Sequence, residues 1–307
     1  MNLESKFRGA LLGTAVGDSL GRTLEGTPIL EPEKIEEIVA KYRELRYTDD
    51  TQMMIGVAES LVEKGGFDGK HMAQRFVENY DPARGYGPGS SRVIRAIESG
   101  ESWNVPAQEI FGGSGSYGNG SSMRIAPVGV LYHDDMEKLR EIAHTSSRIT
   151  HTHELALEGA AFQAYAVALA TSSNPSSRLS VVGFLKKLGM FTFGEVYTGK
   201  LQAIGDTLSG GASRMEVVRR LGNGIEAFNS VPTAIYSFLS HSGSFERAVL
   251  YAVGLGGDAD TIGAMTGAIG GAFHGAEAIP TSWMEKLEGL ERIERLGDML
   301  FDVYRNF

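Results

Sequence analysis

The feature that most limits what this chain can fold into is a pair of glycine stripes. Gly9, Gly13, Gly17 and Gly21 recur at every fourth position near the N-terminus, and Gly263, Gly267, Gly271 and Gly275 do so near the other end. Both runs read as helix, where each interior glycine costs about 0.8–1 kcal/mol relative to alanine. A spacing of four puts the members of a stripe on one helix face. Repetition of that cost needs an offset, and close approach of two helix backbones is what a missing side chain permits. The two helices are therefore expected to pack tightly at the centre of the fold. The stripes also account for part of the glycine excess, 40 of 307 residues, nearly twice the usual share of roughly 7%.

The rest of the chain carries the same period. In DDTQMMIGVAESLVEKGG, Met53, Met54, Val57, Ala58, Leu61 and Val62 share a face, and Gly65 with Gly66 reads as the C-terminal cap. A long apolar helix starts at Thr152, and Leu287, Leu290, Ile293, Leu296, Leu300 and Val303 recur at three and four near the C-terminus. Alternating strand patterns are absent, which predicts an all-α fold. Asp81–Arg92 and Phe111–Ser122 are the obvious loops. Composition does not shift across them, so residues 1–307 are expected to form a single domain.

A net charge of −9 and a pI near 5.4 argue against nucleic acid or an anionic membrane as the main partner. No apolar stretch approaches the roughly 20 residues that span a bilayer. The absence of cysteine removes disulfides, thiolate metal sites and a cysteine nucleophile. A cytoplasmic monomer is the expectation.

Two acid clusters stand at helix starts far apart in the chain. Thr48-Asp49-Asp50-Thr51 precedes one apolar run, and Asp258-Ala259-Asp260-Thr261 precedes the other. Helix capping explains one such acid, at about 1 kcal/mol. Adjacent carboxylates about 5 Å apart repel by roughly 3 kcal/mol at an effective dielectric near 20, which dipole help of about 0.3–1 kcal/mol per charge does not cover. Arg46 is the only strong base near either motif in sequence. Four carboxylates with the hydroxyls of Thr48 and Thr261 instead suit a pair of oxygen-liganded divalent cations, Mg²⁺, Mn²⁺ or Ca²⁺, provided the helix starts converge.

These residues match a known pattern. With T-D-D-T near one end and D-x-D-T near the other, the chain resembles the ADP-ribosylglycohydrolase family nearly end to end, and GALLGTAVGDSLGRTLEG, DPARGYGPGS, GSYGNGSSMRIAP, THTHE and SVPTAIY are also similar to family segments. The resemblance implies a compact orthogonal helical bundle and a binuclear centre of two Mg²⁺, with Mn²⁺ as the alternative, held by Thr48, Asp49, Asp50, Asp258, Asp260 and Thr261. It assigns catalysis to Glu25 and Asp258, Glu25 as acid, base or gate. Phe111 would stack on adenine, Ser116, Tyr117, Gly118 and Asn119 would contact the diphosphate and ribose, and His151 would line the ligand pocket. The implied reaction is hydrolysis of the bond between ADP-ribose and its acceptor on modified proteins. DPARGYGPGS looks more like the serine-directed, O-linked branch than the arginine-directed one, whose loop is typically acidic and from which Tyr86 and Pro88 depart.

Other readings carry less. Gly113, Gly115 and Gly118 satisfy G-x-G-x-x-G, but no strand precedes them. His153 reads as structural. Asp18, inside the first glycine-striped helix, is either paired, engaged in capping backbone, or a support for a metal ligand. A non-catalytic ADP-ribose reader and a crystallin-like structural relative are the rival classes, and retention of both acid motifs with Glu25 disfavours each.

Overall fold

The computed structural model describes residues 2–191 and 194–307. Among them the secondary structure is helical, with two isolated β-bridges, Leu45 to Leu287 and Gly118 to Glu226, and no strand.

The two striped helices, Leu3–Gly21 and Ala259–His274, run antiparallel in direct contact. Gly9 faces Gly271, Gly13 faces Gly267 and Gly17 faces Gly263, and a Cβ on any of these would overlap the carbonyl of its partner. Gly21 faces the backbone of Ala259, and Gly275, read from the sequence as part of the second helix, lies beyond it as its C-cap, with φ 79°. Backbone contact at this range exposes Cα–H groups to carbonyl oxygens, a weak attraction that recurs at helix interfaces.

Both helices are buried on nearly every face, as is Glu154–Thr171, which packs beside them. Asp49–Lys64, Ala227–Ser240 and Leu290–Arg305 surround this centre. The first of these ends at Gly65, as expected, and the last buries Ile293, Leu296 and Leu300 while Leu290 and Val303 are half-buried. No helix of the described residues is long and apolar enough to cross a membrane.

The antiparallel seam decides where chemistry can sit. It brings the C-terminal end of Leu3–Gly21, and the turn after it that carries Glu25, to the N-terminal end of Ala259–His274, where Asp258, Asp260 and Thr261 lie. Asp18, fully buried, then ties in a third helix. Its two oxygens accept the Thr48 N–H at 3.0 Å each, and one also accepts the Thr51 N–H at 3.0 Å and the Thr51 hydroxyl at 2.5 Å. The start of Asp49–Lys64 is thereby fixed against the first striped helix.

Candidate functional site

The two acid clusters open onto one cleft of about 520 Å³, shared with Glu25, a size typical of small-ligand sites. One carboxylate oxygen from each of Glu25, Asp258 and Asp260 lies within 4.8 Å of the others. Across from them, Thr48 caps its helix by accepting the Asp50 N–H at 3.3 Å and donates its hydroxyl to Asp50 Oδ2 at 3.1 Å. Asp258 occupies the N-cap position of Ala259–His274 but makes no side-chain cap bond. Asp260 Oδ1 accepts the Thr261 N–H at 2.9 Å. Capping thus uses a threonine at one start and leaves Asp258 free for other work at the second.

The cost of this crowding shows in the protonation of the acids. Burial, then the neighbouring charge of Asp18, raises Asp49 to about 7, and burial raises Asp258 and Asp18 to about 6. Asp50 and Asp260 are pushed well above the usual carboxylate range, by burial first and then by Asp18 and Asp258 respectively. Each cluster raises the other, since Asp260 acts on Asp50 and Asp258 on Asp49. Buried Asp50 Oδ1 has no hydrogen-bond partner, an orphaned acceptor that costs about 1–3 kcal/mol unless something fills it. An all-oxygen donor set with an unmatched anionic oxygen fits a hard divalent cation. The residues that could hold one are Glu25, Asp258 and Asp260 as a cluster, with Thr48, Asp49, Asp50 and Thr261 lining the same space.

The far wall of the cleft presents an exposed aromatic ring and uncharged polar groups. Phe111 is 63% exposed, and its backbone takes a left-handed φ of 53°, which no other described non-glycine residue does; strain of that kind clusters at ligand clamps. Its ring rests on Gly89 at the start of the Pro88–Glu98 helix. Ser116, Gly118, Asn119 and His151 also line the cleft. Asn119 is buried and donates its side-chain amide to both Ser230 Oγ, at 3.0 Å, and Asp258 Oδ2, joining this wall to the acids. His151 is buried, bonded through Nδ1 to Thr150 Oγ1 at 2.7 Å, and its pKa is lowered to about 3 by burial and then by Arg124, which keeps it neutral. Tyr117 lies outside the cleft: its ring packs edge-on against His153 at 5.7 Å and near Phe228. His153 caps Glu154–Thr171 by accepting the Leu155 N–H at 3.2 Å.

Several supporting residues escaped the sequence. Arg124 is buried beneath the wall, its guanidinium 4.6 Å from the Phe76 ring and its Nη2 donating to Ser146 O at 3.3 Å. A charge inside the run SSMRIAP was its only signal. Arg84 lines the cleft but is engaged, bidentate with Glu288 at 2.7 Å and bonded to Tyr47 O at 2.9 Å. Ile225, 65% exposed, faces the cleft from a segment that carries no motif. Asp18 resolves as a capping acceptor that also holds the residues beside Asp49 and Asp50 in place.

Comparison with known proteins agrees with this geometry. The ADP-ribosylglycohydrolase family model matches residues 1–306. ADP-ribosylhydrolase ARH3 of Mus musculus is 37% identical, over 98% of this chain and 92% of its own. The ADP-ribosylarginine hydrolase Tri1 of Pseudomonas putida is 27% identical, over 97% of this chain and 78% of its own. A solved structure described as an ADP-ribosylglycohydrolase-related protein complex superposes with a TM-score of 0.75 at 26% identity, covering 98% of this chain and 99% of that one. With the match running from end to end, the chain belongs to the ADP-ribosylglycohydrolase family of hydrolases.

Proposed function

We propose that this protein is a metal-dependent hydrolase that releases ADP-ribose from an O-linked acceptor, serine first among them, at a binuclear Mg²⁺ or Mn²⁺ centre within a single catalytic domain. The observation that carries the reading is the meeting of Glu25, Asp49, Asp50, Asp258 and Asp260 in one cleft whose opposite wall presents Phe111. The ions, when bound, supply counter-charge and Lewis acidity to the ribose and the attacking water. Thr48, Asp49, Asp50, Asp258, Asp260 and Thr261 hold them. Glu25, exposed on its turn and next to Asp258 and Asp260, exchanges the proton of the leaving oxygen or of the water. Phe111 stacks on the adenine, and the loop Ser116–Asn119 with neutral His151 receives the diphosphate and ribose through polar groups that carry no opposing charge. Fixing the sugar between these walls supplies much of the rate through orientation.

The acceptor side supports an O-linked substrate. The segment Ala83–Ser90 that lines the cleft offers no carboxylate to a guanidinium, and its one cation, Arg84, is bound to Glu288. The relative named for an arginine linkage is less similar to this chain, at 27% identity, than ARH3 at 37%. The test is purified protein with Mg²⁺ against serine-linked, arginine-linked and O-acetyl ADP-ribose in parallel. Turnover of the O-linked substrates that stops in chelator is expected. Preference for the arginine linkage, or full activity in chelator, contradicts the reading.

A further inference from the structure

A strap without any motif, Gly222 to Ala227, bonds both halves of the cleft. The Asn223 carbonyl accepts the Asp258 N–H at 2.8 Å, and Asn223 Nδ2 donates to Leu255 O at 3.0 Å. These two bonds bracket the Gly256–Gly257 turn, where both residues take left-handed φ values of 68° and 64°. A Cβ on Gly257 would collide with Asn223 itself. Farther along, the Ile225 carbonyl accepts the Asn119 N–H at 2.9 Å and the Ala227 N–H donates to Tyr117 O at 3.1 Å. One short segment therefore sets the main chain of the nucleotide wall and the main chain that carries Asp258.

We propose that Asn223 is a positioning residue that makes the nucleotide wall and the Asp258 carboxylate one geometric unit, so that ligand on the wall and cation at the acids strengthen each other's binding. The proposal rests on the reading above, with a nucleotide at one wall and a divalent cation at the other. Its side chain adds a bond to Leu255 O beside the main-chain bonds of a turn of two glycines, the residues with the most backbone freedom to lose. Without that bond Asp258 is aimed by a looser turn, and the cation loses a fixed ligand. The wall keeps its own bonds to Ile225 and Ala227. Coupling between two ligands is reciprocal, each raising the other's affinity by one factor.

The experiment measures Mg²⁺ affinity with and without ADP-ribose, and ADP-ribose affinity in chelator and in Mg²⁺, by calorimetry on the full chain. Variants are Asn223→Ala and the isosteric Asn223→Asp, which keeps the shape and removes the donor. Both variants keep the carbonyl that accepts the Asp258 N–H and lose the side-chain bond to Leu255 O, so Mg²⁺ affinity is expected to fall by about 2–10-fold, the equivalent of one hydrogen bond. Their ADP-ribose affinity in chelator should stay within about twofold of the wild type, with the mutual enhancement reduced. Unchanged Mg²⁺ affinity in either variant overturns the proposal. So does a joint fall of Mg²⁺ affinity, chelator-insensitive ADP-ribose affinity and thermal midpoint, which marks a general structural role. A wild-type protein that binds both ligands but hydrolyses no linkage defeats the hydrolase reading and leaves the coupling measured. A wild-type protein without Mg²⁺ affinity defeats both.

Discussion

The two helix starts that carry the acids are held in opposite ways. At Asp49–Lys64 the backbone is capped twice, by Thr48 within the motif and by buried Asp18 from another helix. At Ala259–His274 there is no side-chain cap, and the start is held by main-chain partners: Asn223 accepts from Asp258, and Gly26 with Gly257 and Gly257 with Thr27 pair the two turns at 2.7 and 3.2 Å. The first start is fixed by a charge and the second by a strap. A buried anion can fix a helix only where several donors surround it. A strap needs only unhindered backbone, which the glycines at 256 and 257 provide.

This contrast can be broken at several points, the largest effect first. Asp260→Asn removes an acid that lies within 4.8 Å of Glu25 and Asp258, and turnover should fall to background in a steady-state assay; retention of near wild-type turnover contradicts its role. Glu25→Gln should lower turnover by about 10²–10⁴-fold, the usual range for proton-transfer help, while calorimetry shows ADP-ribose still bound. Asp18→Ala strips the acceptor from the Thr48 and Thr51 N–H groups. It should cost about 3 kcal/mol or more, since each buried donor left unpaired costs about 1–3 kcal/mol, and denaturant unfolding reads that loss. Thr48→Ala, by comparison, should cost about 1 kcal/mol for its cap. Asp258→Asn has no cap to lose and relieves repulsion, so at pH 8 in chelator its thermal midpoint should rise.

The same crowding fixes a pH dependence. Folding raises Asp49 to about 7 and Asp18 and Asp258 to about 6, against about 3.9 for an aspartate in an unfolded chain. From about pH 4 to about pH 7 the folded state therefore binds more protons than the unfolded one, and stability falls as pH rises through that window. The contribution is whole below it and gone above it. In chelator the thermal midpoint should drop across this range, and saturating Mg²⁺ should remove most of the drop because cations bind the deprotonated acids. A midpoint that climbs with pH in chelator runs against the account.

Much of this was legible in the chain and some was not, for physical reasons. The glycine stripes announce a backbone seam because four costly helix positions in register are offset only where another backbone comes close, and the two helices pack backbone to backbone as expected. Gly275, read as part of the second helix, caps it instead at a positive φ that glycine adopts readily, and the antiparallel register that sets Gly17 against Gly263 sets Gly21 against Ala259. The acid motifs show by their excess of charge over what capping needs. Asp18 could not be resolved between its readings, since its partners Thr48 and Thr51 come from another helix. Ile225 was invisible because main-chain hydrogen bonds leave no side-chain signature, and Asn223 because the Leu255 carbonyl that its amide meets is remote in sequence. Arg124 hides because its principal neighbour, the Phe76 ring, is remote in sequence.

The central claim is that two remote carboxylate clusters form one cation site. Calorimetric titration of Mn²⁺ into chelator-stripped protein saturated with ADP-ribose at pH 7.5, above the values of about 6 to 7 to which Asp18, Asp49 and Asp258 are raised, tests it most directly. The account predicts two ions bound per chain, with Asp49→Asn and Asp260→Asn each abolishing at least one although they come from opposite ends of the sequence. No binding, or binding that survives both substitutions, contradicts it.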